Sequence, residues 1–225
     1  MEIELNNKPL LTDLNNFIDD FFGTFQPEDA GICDPLPYVE YGEQYCSEQC
    51  LREQMLPNAD EHVGFPEHYY GLSIQALAKH DPLRWLRFDK LCRKDWIQRM
   101  GAHTSALSLY YPPGGFVGWH TNWNANAYQL LLTWSRDGDG YFRYYDQHTD
   151  TIVTQYDKPG WQARWYYFGR KDEPEHHCWH TAYTKGDRMT FAFKFGANHG
   201  LTDLEKDRKA QMMRDAAIEE LESEY

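Results

Sequence analysis

Near the middle of the chain, His120 is followed two residues later by Asn122, after the glycine-rich turn of YYPPGGFVGWHTN. In an extended strand, residues i and i+2 point to the same side, about 6.6 Å apart along the chain. Both side chains could then converge on one ion. Further along, the segment EPEHHCWHTAYTKGDRMTF offers His176, His177 and His180 as a donor from a facing strand. Beyond them, Arg188 and Thr190 share one strand face, an arrangement that grips a carboxylate with a guanidinium and a hydroxyl. Two imidazoles plus a short oxygen-bearing side chain outline a facial triad, which holds iron(II) on one side and leaves positions open for cosubstrate and oxygen.

These residues need a β framework, and the period of the sequence supplies one. From Thr104 onward SALSLYY, AYQLLLTWS, GYFRYYD, TIVTQYD, ARWYYFG and RMTFAFKF are short strand-like runs parted by Gly, Pro, Asp or Asn. Aromatic residues are frequent after position 105, which also favours strands. RDGDG, between two of the runs, reads as a hairpin turn. Upstream, LLTDLNNFIDDFFGTF places Leu10, Leu11, Leu14, Phe17, Ile18, Phe21 and Phe22 at helical spacing, with Gly23 and Pro27 as its stop. Residues 26–66 look loop-rich, and 67–100 helical through IQALAKH and WLRFDKLCRKDWIQRM. At the end, Thr202 and Glu205 form a capping-box pattern before a helix whose Leu204, Met213, Ala217 and Leu221 approximate one face, expected to dock within the chain. The expected organisation is a single domain over 1–225. It comprises a helical, loop-rich support (1–103), a β core (104–197) and a C-terminal helix (198–225).

Composition narrows the partners. A net charge of −13 disfavours broad contact with nucleic acid, which needs clustered cations. The run Arg84, Arg87, Lys90, Arg93, Lys94 and Arg99 reads as a solvated helix face. No apolar run spans a bilayer and no basic-then-apolar leader opens the sequence, so a soluble cytoplasmic protein is expected. The odd, irregularly spaced Cys33, Cys46, Cys50, Cys92 and Cys178 do not suggest a disulfide framework. A zinc site from Cys33, Cys46, Cys50 and His62 lacks a CxxC pairing, so packed thiols are the better reading.

Taken together, the segments resemble the Fe(II)- and 2-oxoglutarate-dependent oxygenases, and within them the prolyl-4-hydroxylase-like group, over about residues 105–196. YYPPGGFVGWHTN is similar to the family's approach to its metal strand, GDGYFRYYD to its glycine-led strand, DKPGWQARWYYFG to its Pro–Gly turn, and WHTAYTKGDRMTFAFKF to its distal His and Arg–x–Ser/Thr pair. Phage-encoded members are similar in the HTN wording. The resemblance implies a mainly β fold with flanking helices around a double-stranded β-helix (jelly-roll, cupin-like) core. It implies His120, Asn122 and His180 as iron ligands, with His177 the runner-up to His180. Arg188, Thr190 and Tyr111 would bind 2-oxoglutarate, with Thr133 a weaker candidate. Dioxygen would be the other cosubstrate and ascorbate a candidate auxiliary. The substrate would be a protein side chain, proline among the possibilities, or a small molecule; a viral member would work in the host cytoplasm.

Asn122 departs from the family's aspartate. An amide oxygen still coordinates but is a neutral donor, so the site should hold iron less tightly before cosubstrate binds. Asparagine has the shape of aspartate and fills the slot that halogenating relatives leave open, so halogenation fits poorly. Asp146, at a strand end, is a substitute acid; a degenerate relative that only binds, or a cupin-like metal protein without 2-oxoglutarate, is the alternative.

Overall fold

Strict alternation along the second half of the chain gives strands with two different faces, and most of the architecture follows from where each face is buried. The computed structural model describes residues 1–26, 28–29, 39–59, 64, 66–122, 128–169, 173–196 and 203–224. The N-terminal part contains β1 (Glu2–Ile3), α1 (Lys8–Thr24), α2 (Gly42–Tyr45), α3 (Glu48–Cys50), β2 (Tyr69–Tyr70) and β3 (Leu72–Ser73). Next come α4 (Ile74–His80), α5 (Pro82–Lys90), a π turn over Leu91–Asp95, and α6 (Trp96–Arg99). The strands that follow are β4 (Thr104–Tyr111), β5 (Phe116–His120), β6 (Tyr128–Ser135), β7 (Gly140–Asp146) and β8 (Thr151–Tyr156). They continue with β9 (Gly160–Tyr167), β10 (His180–Thr184) and β11 (Arg188–Phe195), before α7 (Asp203–Glu222) closes the chain.

The strands form two antiparallel sheets, one ordered β1-β9-β6-β11-β4-β3 and the other β2-β5-β10-β7-β8. Apart from the β7–β8 hairpin, successive strands from β4 to β11 alternate between the sheets, so each link is a crossing. RDGDG is therefore not a hairpin turn: β6 and β7 lie in different sheets. Its backbone is tied to the next crossing instead. Arg136 N–H donates to Asp187 O at 3.0 Å, and Arg136 Nε lies 2.7 Å from Asp187 Oδ2.

The outer face of the larger sheet takes the helices. Leu10, Leu14, Phe17 and Phe21 of α1, Trp85 and Phe88 of α5, Trp96 of α6 and Ala217 and Leu221 of α7 share one apolar cluster with β6, β9 and β11. Each fully buried Phe or Leu contributes about 1.5–3 kcal/mol. Asn7 caps α1, its side chain accepting from Leu10 N–H at 2.8 Å. The same asparagine's Nδ2 donates to Glu220 O at 2.8 Å, and its backbone N–H donates to Leu221 O at 3.1 Å. The C-terminal helix thus docks on its own chain, as expected; Pro27 and Thr202 lie outside the described residues.

The basic run is an ion-paired helix face. Arg84 meets Asp29, Arg87 lies 3.6 Å from Asp20, and Arg99 lies 2.7 Å from Asp13 and 3.0 Å from Glu220. Cys46, Cys50 and Cys92 are buried and Cys178 half-buried, all as thiols, while Cys33 and His62 fall outside the described residues. Among the described residues, no helix is long and apolar enough to cross a membrane.

Candidate functional site

Between the sheets lies a cavity of about 870 Å³ whose lining includes His120, Asn122, His180, Tyr111, Arg188 and Thr190. Six of the residues singled out in the sequence therefore meet in one space. Their placement depends on an irregularity that the sequence conceals. On β5 and β10, His180 is opposite His120 while Ala182 is opposite Val117, so Gly118 and Trp119 together face Thr181. This is a β-bulge, the device that re-aims a side chain out of strict alternation. Val117 packs inward against Leu109 and Tyr111; without the extra residue, His120 would point away from them. Trp119 is turned outward against Cys50, Leu51 and Trp179. Thr181 stabilises the distortion by donating its hydroxyl to Val117 O at 2.6 Å. Gly118 permits it, because its N–H donates to His68 O at 2.8 Å and a Cβ there would lie 2.8 Å from the same oxygen.

The two imidazoles are held alike. His120 Nδ1 is 2.9 Å from Gly118 O and His180 Nδ1 is 2.8 Å from Cys178 O, two residues back in each case. A carbonyl can only accept, so both Nδ1 atoms carry the proton and both lone pairs sit on Nε2. The ring centroids are 4.1 Å apart. His180 also packs on Phe168 at 4.5 Å and Phe142 at 5.7 Å. Burial, then the neighbouring His120, holds the His180 pKa well below the usual imidazole range, so that ring stays neutral and able to donate a lone pair.

β5 ends at His120, so Asn122 lies beyond the strand, and the i, i+2 rule is not what brings it to the cavity. Asp146 is no substitute acid, for its carboxylate accepts from His148 N–H at the β7–β8 hairpin, away from the cavity. Among the described residues, no three His, Cys, Asp or Glu side chains gather as a metal cluster. His176 is exposed beside Glu175 and against the Tyr167 ring, and His177 is occupied at its carbonyl by Gln147; neither lines the cavity.

At the closed end Arg188, 1% exposed, donates from Nε to Asp157 Oδ2 at 2.8 Å and from Nη1 to Thr190 Oγ1 at 2.7 Å. Burial works against its charge, but Asp157 and the Tyr111 hydroxyl outweigh that and raise its pKa. The guanidinium lies over the Tyr111 ring, 5.0 Å from its centroid. Burial pushes Tyr111 up to about 12 against the pull of Arg188, so its hydroxyl keeps its proton. Thr133 is one step back, its Oγ1 3.4 Å from that of Thr190, and does not line the cavity.

Asp157 and Arg164 went unnoticed in the sequence. Arg164 Nη1 is 3.5 Å from Asp157 Oδ1, and its Nη2 donates to Tyr156 O at 2.8 Å and Gln162 Oε1 at 2.9 Å. Two buried guanidiniums share one carboxylate, which leaves a net positive charge beneath the cavity. In the structure Gly140, the glycine that opens GYFRYYD, makes room for the acid, since a Cβ there would sit 2.5 Å from Asp157 Oδ2.

No protein-family model matches the sequence, and no curated protein matches it. The chain is similar, over part of its length, to solved structures. One is YcfD, a ribosomal oxygenase from Escherichia coli, at 18% identity over 56% of this chain and 28% of that one, with a TM-score of 0.30. Another is a Pseudomonas putida prolyl-4-hydroxylase, at 15% identity over 53% of this chain and 58% of that one, with a TM-score of 0.30. A third is an oxalate oxidase in complex with the substrate analogue glycolate, at 12% identity over 52% and 62%, with a TM-score of 0.30. The chain thus spans less than two thirds of each of these three structures.

Proposed function

We propose that this chain is an oxygenase dependent on Fe(II) and 2-oxoglutarate, built on a double-stranded β-helix of strands β4 to β11. The observation that carries the reading is the histidine pair: His120 and His180 are opposite each other across β5 and β10, with rings 4.1 Å apart and both Nδ1 atoms bound to backbone. A hydrogen bond from Nδ1 to a backbone carbonyl fixes the tautomer and orientation of a metal-binding imidazole.

The donor set fits the metal. His120 and His180 would hold Fe(II) through Nε2, and Asn122, on the same cavity wall, would add a neutral amide oxygen. The closed end fits the cosubstrate. Arg188 uses Nε on Asp157 and Nη1 on Thr190, with the Tyr111 hydroxyl as a further hydrogen-bonding neighbour, and Nη2 is the nitrogen we assign to a carboxylate. Thr190 Oγ1 accepts from Arg188, and its proton can turn either to Thr133 Oγ1 at 3.4 Å or to that same carboxylate. Held by these residues, the iron would supply activation of dioxygen, and 2-oxoglutarate would supply two electrons as it is converted to succinate and carbon dioxide.

The chain's own contribution is preorganisation. Arg188 and Thr190 fix one end of the cosubstrate, the histidine pair and Asn122 fix the other, and the apolar walls formed by Phe142, Phe168 and Leu131 exclude water between them. Arg188→Ala tests the assignment by calorimetry in the presence of Fe(II): 2-oxoglutarate binding should fall at least about 100-fold. Binding that survives the change would overturn the pocket assignment, whereas a folded parent that takes up iron and does not bind 2-oxoglutarate would favour a cupin-like metal protein. Asn122 favours one second reading, a degenerate relative that binds both partners without turnover. A folded protein that takes up iron and 2-oxoglutarate but forms no succinate in air would establish it.

A further inference from the structure

The cavity continues past the histidines, and its far end has the opposite character from that of the protein as a whole. Along the inward face of β11, Arg188, Thr190 and Ala192 are 1%, 2% and 4% exposed, whereas Lys194 is only half-buried. Arg188 and Lys194 are six residue steps apart along the strand, roughly 20 Å. The histidines lie between them, since His180 packs on Phe168 and Phe142, which share an apolar cluster with Ala192.

The chain carries a net charge of −13, yet the described residues lining this cavity include three cations, Arg93, Arg188 and Lys194, against one carboxylate, Glu67. Lys194 makes no ion pair with the described residues; burial alone shifts its ammonium, downward, with no charged neighbour contributing. Arg93 lines the same cavity from the π turn between α5 and α6, which packs on β4, where Thr104 and Ser105 pair with Lys194 and Phe193; its side chain is 46% exposed. Its ion-pair partner Asp89 Oδ1 is 3.6 Å away, beyond hydrogen-bond range, and among the described residues that oxygen has no hydrogen-bond partner. One cation without a counter-ion and one with a loose one, at the accessible end of a cavity, call for an anion from outside.

We propose that Lys194 and Arg93 bind the acid group, carboxylate or phosphate, of a small-molecule substrate, on the opposite side of the histidine pair from Arg188. The cavity volume of about 870 Å³ lies within the range of small-molecule sites, ~300–1,000 Å³. This rests on the oxygenase reading only in assigning the Arg188 end to 2-oxoglutarate. A substrate anchored by its acid group would present a carbon some distance from that group to the histidine pair.

The test uses the full chain with 2-oxoglutarate at saturation and three probes of similar size: phenyl phosphate, phenylacetate and benzyl alcohol. Calorimetry should show that at least one of the two acids binds and the neutral alcohol does not. Lys194→Met and Arg93→Met should each weaken acid binding about tenfold to 100-fold. Lys194→Arg should retain it, and 2-oxoglutarate affinity should be unchanged in all three variants. Repeating the titration without cosubstrate on Arg188→Met separates the two readings: acid binding should persist there even though 2-oxoglutarate binding is lost. A preference for phenyl phosphate or phenylacetate identifies the acid group. Absence of binding by either acid, equal binding of benzyl alcohol, or acid binding lost in Arg188→Met but kept in Lys194→Met would each overturn the proposal.

Discussion

The two faces of β11 divide the work of the molecule between them. Outward, Met189, Phe191, Phe193 and Phe195 are at most 1% exposed and lock the helices to the sheet. Inward, Arg188, Thr190, Ala192 and Lys194 line a cavity. One eight-residue strand thus carries both the most buried packing surface and a cavity wall with a cation at each end. A face that packs tolerates loss of volume badly, whereas on the proposed binding face the chain can lose the charge of the half-buried Lys194 and still fold, and that of the buried Arg188 once Asp157 is removed with it. The comparison makes stability and ligand binding separable within a single strand.

The largest expected effect on stability is on the outer face. Phe191→Ala empties a site where Phe17, Trp96 and Trp161 converge, with ring centroids 5.3, 4.7 and 5.9 Å away. It should cost about 3–5 kcal/mol in urea denaturation. The 2-oxoglutarate affinity of the folded protein should stay unchanged; a large change would break the division between faces.

Next comes Arg188→Met, which leaves Asp157 buried with, among the described residues, only Arg164 at 3.5 Å as an ionic partner. Removing one member of a buried pair costs about 3–5 kcal/mol, whereas replacing both with apolar residues is often neutral. Adding Asp157→Leu should therefore restore most of the stability while 2-oxoglutarate binding remains lost. Recovery of binding in the double variant would show that Arg188 acts only as a structural ion.

Gly118→Ala is expected to be milder for folding, about 1–3 kcal/mol for overpacking against the His68 carbonyl. Because it shifts the bulge that aims His120, iron affinity should fall more than the fold does, which parallel metal titration and urea curves would register. Smallest for folding is Asn122→Asp, expected within about 0.5 kcal/mol of the parent. A carboxylate in place of an amide should tighten iron binding about tenfold or more, and weaker binding would contradict coordination at this position.

Much of this division is legible in RMTFAFKF, where alternation alone separates the apolar face from the polar one. The strands at 140–146 and 188–195 fall where the pattern predicts them, because Gly or Asp punctuates both ends. β5 is harder to read. FVGWH does not alternate, since its bulge spends two residues opposite one, and only the pairing with β10 reveals it. RDGDG carried the right turn residues for a hairpin, but the partner of each flanking strand is set by long-range pairing that local chemistry does not encode. Asp157 was invisible for a similar reason, as nothing near it in sequence says that Arg188 lies against it. The short strands β1, β2 and β3, within a region read as helix and loop, extend sheet edges that exist only once the core has formed.

The central claim is that His120 and His180 hold a working iron. The most direct measurement is succinate formed from 2-oxoglutarate in air, with and without added Fe(II), by the parent protein and by His180→Ala, with folding checked by circular dichroism. Iron-dependent succinate from the parent, reduced at least about 100-fold in the variant, is the expected result. Equal turnover in both proteins, or no iron uptake and no succinate from a folded parent, would contradict the account.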